Sequence, residues 1–182
     1  MSQRMTNQTK KWIFESFAEL VKDTNYKDIS ISMIMENAQL SRRTFYRFFK
    51  SKDDLLEKYF LQLFEKYFHD IQTKKFNSFS DLILEFFVFW DQYRKPLQAF
   101  QKQNLLIDSL RVYNEQVANN YKKSSLPWHD KELNSKQIAV ITEFAVGGLW
   151  NIFINWGLED THTPKEMADE VIAGLKTMVW KN

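Results

Sequence analysis

The chain has no cysteine, which removes disulfides and thiolate-bound metals from any account of it. It is also poor in turn formers, with 4 glycines and 3 prolines among 182 residues. Strand-rich sandwiches and barrels need a turn about every 8–12 residues, so this scarcity argues against them and predicts long helices joined by short connections. The three histidines, His69, His129 and His162, stand far apart with no partner one helical turn away. They read as surface residues, and no metal is expected. Gly-x-Ser-x-Gly, a glycine-rich phosphate loop and His-Glu-x-x-His are all missing, so neither an enzyme nor a cofactor is expected. Met1 to Lys11 is polar and has no apolar stretch of the kind a secretory signal requires. The most apolar long run, Ile138 to Leu158, is interrupted by Glu143, Asn151 and Asn155, which favours a buried or interfacial helix over a membrane span. The expectation is a soluble, cytoplasmic, all-α protein with no membrane partner.

What the chain has in quantity is apolar surface and rings. Hydrophobic residues make up 44% and aromatic residues 16%, with 16 Phe, enough for a sizeable core. The formal net charge of +2 hides an uneven distribution. Residues 1–52 hold ten Lys/Arg against five Asp/Glu, a balance of +5, and the remainder carries −3. Between Gln39 and Lys52 lie five basic residues (Arg42, Arg43, Arg47, Lys50, Lys52) and no acid. A block of one sign on so short a segment is a footprint for phosphate. The bland alternative, a solvated charged face, does not account for its coincidence with the helix pattern there.

Hydrophobic periodicity predicts a first helix from about Asn7 to Thr24, with Trp12, Ile13, Phe17, Leu20 and Val21 on one side. Ser30 can cap a short second helix, Ile31 to Ala38, and Gln39-Leu40 makes a turn. Ser41 can cap a third helix, Arg42 to Phe49, with Phe45, Phe48 and Phe49 inward. Ser51 and Asp54 have the spacing of a capping box and open a long fourth helix that ends before Asn77. A fifth helix starts at Ser80, and Pro96 is expected to close it near Tyr93. Short helices from Pro96 to Gln103 and Leu105 to Tyr121 follow, and Lys122 to Asn134 reads as a loop. Two more helices, Ser135 to Trp156 and Lys165 to Val179, complete the chain, the last one capped by Thr163-Pro164.

A short helix, a turn and a second short helix with a basic outer face form a helix-turn-helix, whose second helix fits the DNA major groove, about 12 Å wide. Arg42 and Arg43 fall in the first turn of that helix, and an arginine fork can pair with guanine O6 and N7. Thr44 is short enough to reach a base methyl or a phosphate, and Tyr46 follows the inward Phe45, so its hydroxyl can point outward. Lys52 opens the fourth helix, where free backbone N–H groups favour phosphate. Arg47 is left open between solvent and the first helix.

This stretch resembles the tetracycline-repressor (TetR/AcrR) family of transcription regulators over roughly residues 10–60. The resemblance rests on Ile34, Ala38, Leu40, Ser41, Thr44, Phe45, Tyr46, Phe48, Phe49, Lys50, Ser51, Lys52, Leu55 and Leu56 at the family's spacing. It implies base or phosphate contacts from Ser41, Arg42, Arg43, Thr44 and Tyr46, and phosphate contacts from Ser32 and Lys52. Two residues depart from the pattern. Gln39 stands where the family usually has glycine, and a left-handed backbone there would strain it by about 1 kcal/mol. Arg43 stands where many members have a small residue, so the base sequence read is not inherited.

The resemblance further implies a reader domain over residues 1–52, joined by a long helix to a helical effector-binding and dimerisation domain over residues 53–182. The last two long helices would pair across a two-fold axis, with Ala145, Gly148, Leu149, Ile152, Phe153 and Trp156 at the interface. Phe144, Gly148, Leu149, Trp150 and Trp156 together resemble one carboxy-terminal subtype of the family. Aromatics such as Phe86, Phe89, Trp128, Trp150 and Phe153 could line a pocket or simply be core. Trp90 and Tyr93 beside the Pro96 break, with Phe100 and Asn104, are the candidates for effector contact. The expected partners are double-stranded DNA, a second copy of the chain and a small, largely apolar effector that releases a repressor from its operator. The alternatives are a carboxy-terminal domain that docks a protein, and a helical enzyme or carrier.

Overall fold

Short polar side chains fix where most of the helices begin. In this computed structural model, which describes residues 3–123, 133–157 and 160–179, the elements are α1 (Gln3–Asp23), α2 (Ile31–Asn37), α3 (Arg42–Phe45), α4 (Lys52–Thr73), α5 (Phe79–Lys102), α6 (Leu105–Lys123), α7 (Ser135–Asn155) and α8 (Pro164–Val179). No strand occurs among the described residues. Ser30, Ser41 and Ser51 accept hydrogen bonds from the amides of Met33, Thr44 and Asp54, each cap being worth about 1 kcal/mol. Ser78 with Asp81 and Asn134 with Gln137 form reciprocal capping boxes. α5 thus begins at Phe79, one residue before the Ser80 expected from the sequence. Thr163 and Glu166 exchange the same pair of bonds ahead of α8.

α1, α2 and α3 pack around the reader end of one continuous core. Ile13, Phe14, Phe17, Val21, Ile34, Met35, Phe45 and Phe49 are buried, and the Phe14 and Phe49 rings meet edge to face at 5.5 Å. Ser16, buried between α1 and α2, donates to the Ile34 carbonyl at 2.6 Å. Trp12 was expected on the inner face but is 46% exposed, and Phe14 is buried instead. The third helix keeps α-geometry only to Phe45 and then tightens into turns through Phe48, held by Phe48 N–H to Phe45 O at 2.9 Å and Phe49 N–H to Phe45 O at 3.0 Å. Phe48 is only partly buried, with Lys10 and Arg47 over its ring.

The larger part is a set of long helices around a continuous stack of rings. Phe64 of α4 stacks on Tyr113 of α6 at 4.5 Å, and Trp90 of α5 meets Trp150 of α7 edge-on at 4.8 Å. Each such pair adds about 0.5–1.5 kcal/mol beyond the area it buries. α5 packs along α8, and α6 along α7. Contrary to expectation, α5 does not stop near Tyr93 but runs through Pro96 to Lys102. Pro96 and Gln92, whose carbonyl the proline leaves without an i+4 donor, are both exposed, so water can serve the freed group. Ile83, Phe86, Phe87 and Trp90 before the proline and Leu97 and Phe100 after it are buried, and this burial holds one continuous helix despite the interior-proline penalty of about 3 kcal/mol. Trp128 and His129, and most of the Lys122–Asn134 stretch, lie outside the described residues.

Candidate nucleic-acid interface and cavity

The turn between α2 and α3 aims the reader. Leu40 N–H bonds Met35 O at 2.8 Å and Gln39 N–H bonds Glu36 O at 3.0 Å, the paired bonds of a Schellman motif closing α2. That motif needs a left-handed residue at Gln39, and Gln39 has φ 54. The departure noted in the sequence therefore leaves the turn intact and is met by a strained glutamine. Ser41 then caps α3, its Oγ also 3.0 Å from Thr44 Oγ1, so both hydroxyls are oriented.

Beyond this cap Arg42, Arg43 and Tyr46 project from the same short element, all exposed. Among the described residues neither Arg42 nor Arg43 has an ion-pair partner. Tyr46 is 55% exposed and rests edge-on against Phe45 at 5.5 Å, which holds its hydroxyl outward. Thr44 and Ser32 are half-buried. Two exposed guanidinium forks, an exposed phenol and a capped hydroxyl pair thus fall within residues 41–46, groups suited to contact with phosphate and base edges.

Lys52 is placed differently from the expectation. Its ammonium turns inward and donates to the carbonyls of Tyr26, Lys27 (3.4 Å) and Ile29 (2.7 Å), with Tyr26's ring 4.3 Å away. The chain between α1 and α2 leaves those carbonyls without helical donors, and lysine's three N–H groups meet them. Beside it, Asp54 accepts from the Lys50 amide at 2.7 Å and from Lys58 at 2.9 Å. Desolvation alone would raise the Asp54 carboxyl, but these bonds and the two positive charges hold it below its ordinary range.

A separate apolar cavity of about 370 Å³ opens between α4, α5, α6 and α7. Tyr67, Phe68 and Tyr113 form one wall and Ile141, Ala145, Val146 and Leu149 another. Gln72 and Asn120, bonded to each other at 2.9 Å, supply its polar edge, and no charged side chain lines it. Burial raises the pKa of both Tyr67 and Tyr113, keeping their hydroxyls neutral.

None of Trp90, Tyr93, Phe100 and Asn104 lines this cavity. Trp90 and Phe100 are fully buried, Phe100 stacked on Tyr59 at 5.1 Å, and Tyr93 packs on Trp90 at 5.6 Å. Pro96 does not break α5, so no gap opens beside it. Asn104 sits at the α5–α6 junction with φ 60 and faces a groove toward the reader shared with Tyr26 and Asp53. Ala145 and Leu149, expected at the pairing face, instead line this cavity together with Val146.

The expected pairing residues are also divided. Phe153 and Trp156 are buried within the protomer, where the Arg94 guanidinium lies 4.0 Å over the Trp156 ring, and Ala145 and Leu149 face the cavity. Ile152 is half-buried. Gly148 remains on the outer face, beside Val140 (57% exposed), Phe144 (71% exposed) and exposed Asn151. A Cβ placed at Gly147, Gly148 or Gly174 would meet nothing within 4 Å. Among the described residues α7 is the one helix long and apolar enough to cross a membrane.

A capped, basic helix-turn-helix mounted on a helical domain defines the class: a DNA-binding regulator of transcription. Residues 13–59, the whole helix-turn-helix and the start of α4, match the family model for bacterial regulatory proteins, tetR family. Its relatives include the HTH-type dhaKLM operon transcriptional activator DhaS of Lactococcus lactis subsp. lactis, 25% identical over 154 residues, covering 76% of this chain and 79% of that one. A solved structure of the dihydroxyacetone kinase operon activator DhaS has a TM-score of 0.60 at 21% identity, covering 94% of this chain and 96% of that one. The TetR family repressor AlkX from Dietzia sp., described as implicated in biodegradation of n-alkanes, has a TM-score of 0.57 at 20% identity, covering 98% and 97%. These structural likenesses concern the fold. Regulators of this family bind DNA and act as dimers.

Proposed function

We infer that the chain is a cytoplasmic, homodimeric repressor that reads a palindromic operator and is released by a small, largely apolar effector. The observation that carries the reading is the exposed, unpaired Arg42–Arg43 fork on a capped α3. In the dimer, α7 and α8 pair through the outer face of Val140, Phe144 and Gly148, which also accounts for an apolar helix so little covered in the protomer. Two readers about 34–36 Å apart then meet successive major grooves.

The effector occupies the uncharged α4–α7 cavity. Its lining favours a neutral, lipophilic molecule with one hydrogen-bonding end for Gln72 or Asn120. Such a ligand changes DNA affinity only by binding the two reader spacings unequally. The presence of a cavity supports a small molecule over a docked protein. One observation favours a second reading, activation: the curated relative DhaS is an activator. Activation would use the same reader and dimer and differ in where the operator lies relative to the promoter.

The test is selection of a randomised duplex library on the purified protein, followed by sequencing. A palindrome with half-sites one helical turn apart is expected. Recovery of no common sequence would refute the reading.

A further inference from the structure

The junction between α5 and α6 touches both ends of the molecule. Toward the pairing helix, Gln101 donates to the Ile154 carbonyl and the Trp150 indole N–H donates to the Leu106 carbonyl at 3.1 Å. Toward the reader, Gln103 alone makes three bonds. Its carboxamide oxygen accepts the Tyr26 N–H at 2.6 Å, and its nitrogen donates to the carbonyls of Val21 at 2.7 Å and Thr24 at 3.1 Å. Val21 and Thr24 end α1, where helical carbonyls have no donors of their own. Gln103 therefore completes the reader's first helix from outside the reader. Phe100, one turn earlier on α5, meets Phe17 of α1 at 5.8 Å, so the joint has an apolar half and a polar half.

The joint is also short and conformationally defined. Gln103 ends α5, Asn104 is left-handed with φ 60, and Leu105 begins α6. α6 carries Tyr113 and Val117 into the cavity wall, so a displacement of α6 acts first on residues 103 and 104.

We propose that Gln103 is a positioning residue that sets the orientation of the reader relative to the pairing helix α7. This rests on the dimeric reading above, since orientation matters to DNA only when two readers must fit one duplex. A glutamine that merely capped α1 would steady each reader by itself and would affect a half-site and a full palindrome alike. A positioning residue affects the palindrome alone, because affinity falls with the fraction of molecules whose two readers are correctly placed.

The experiment compares wild type, Gln103→Met and Gln103→Glu on duplexes carrying one half-site or the whole selected palindrome. Gln103→Met removes all three bonds at similar length. Gln103→Glu keeps an acceptor for Tyr26 N–H and loses both donors. The expected result is unchanged half-site binding and palindrome affinity lowered about tenfold, as when a tenth of the molecules stay competent. Equal losses on both duplexes, or no loss on either, would overturn the proposal. Because the chain has no cysteine, spin labels on Glu36→Cys and Lys95→Cys, diluted into unlabelled chain, give a readout independent of DNA. The distance distribution is expected to broaden in both Gln103 variants, and an unchanged distribution overturns the proposal even if wild type selects no palindrome. A wild type that selects none refutes the regulator reading, whatever the labels report.

Discussion

Gln39 and Lys52 show how much one residue reveals of its surroundings. Gln39 was legible as a strained position because a Schellman turn needs φ above zero whatever the tertiary context, and the structure has φ 54 there. Gln39→Gly removes the left-handed penalty of about 1–2 kcal/mol and adds back part of it as unfolded-chain entropy. The net expectation is a gain of up to about 1 kcal/mol, read as a higher urea midpoint with unchanged DNA affinity; a lower midpoint would show that the side chain has a role beyond the turn. Lys52 was not legible in the same way. Its position at a helix start suggested phosphate, but a long flexible side chain goes where donors are needed, and the Tyr26 and Ile29 carbonyls are brought near it only by folding. Arg42 and Arg43 lie between these cases: their exposure follows from helical spacing, and the bases proposed for them do not.

At the scale of elements, helix starts were readable from caps, whereas the fate of an interior proline was not. Ser30, Ser41, Ser51 and Thr163 signal helix starts locally. Whether Pro96 ends α5 depends on burial of Leu97 and Phe100 beyond it, which no window around the proline contains. Pro96→Ala restores a donor for the Gln92 carbonyl on the exposed side of α5. It should raise stability by about 1–3 kcal/mol, visible in thermal unfolding, and leave the dimer intact. A fall in stability would mean that the proline shapes a bend the core depends on. The cavity was hidden for a related reason. Aromatic residues at helical spacing look alike as core and as pocket, and only packing separates fully buried Trp90 from Tyr67 and Tyr113 at the cavity wall.

At the scale of the molecule, the reader was largely written in one continuous string of residues, and the pairing surface was not. Ala145, Gly148, Leu149, Ile152, Phe153 and Trp156 are expected from the sequence on one pairing face, but the fold divides them among core, cavity and outside. On the dimeric reading the outside is the part free to meet a second copy, and Phe144 at 71% exposure lies there with Gly148. If α7 pairs through this face, Phe144→Glu would bury two charges across the two-fold axis. Sedimentation should then show a monomer at concentrations where wild type is dimeric, with half-site binding retained and palindrome binding lost. An unchanged dimer would place the pairing surface elsewhere.

The most direct test of the central claim, that α3 reads DNA through Arg42 and Arg43 while Lys52 works inside the protein, is a salt series on the selected duplex. Wild type, Arg42→Ala, Arg43→Ala and Lys52→Met would be titrated against that duplex and a scrambled one. The account predicts that each arginine change costs about 1–3 kcal/mol on the selected sequence. Lys52→Met should leave the slope of log affinity against log salt as in wild type while lowering the urea midpoint. A slope reduced by about one for Lys52→Met, with both arginine variants still preferring the selected duplex, would contradict it.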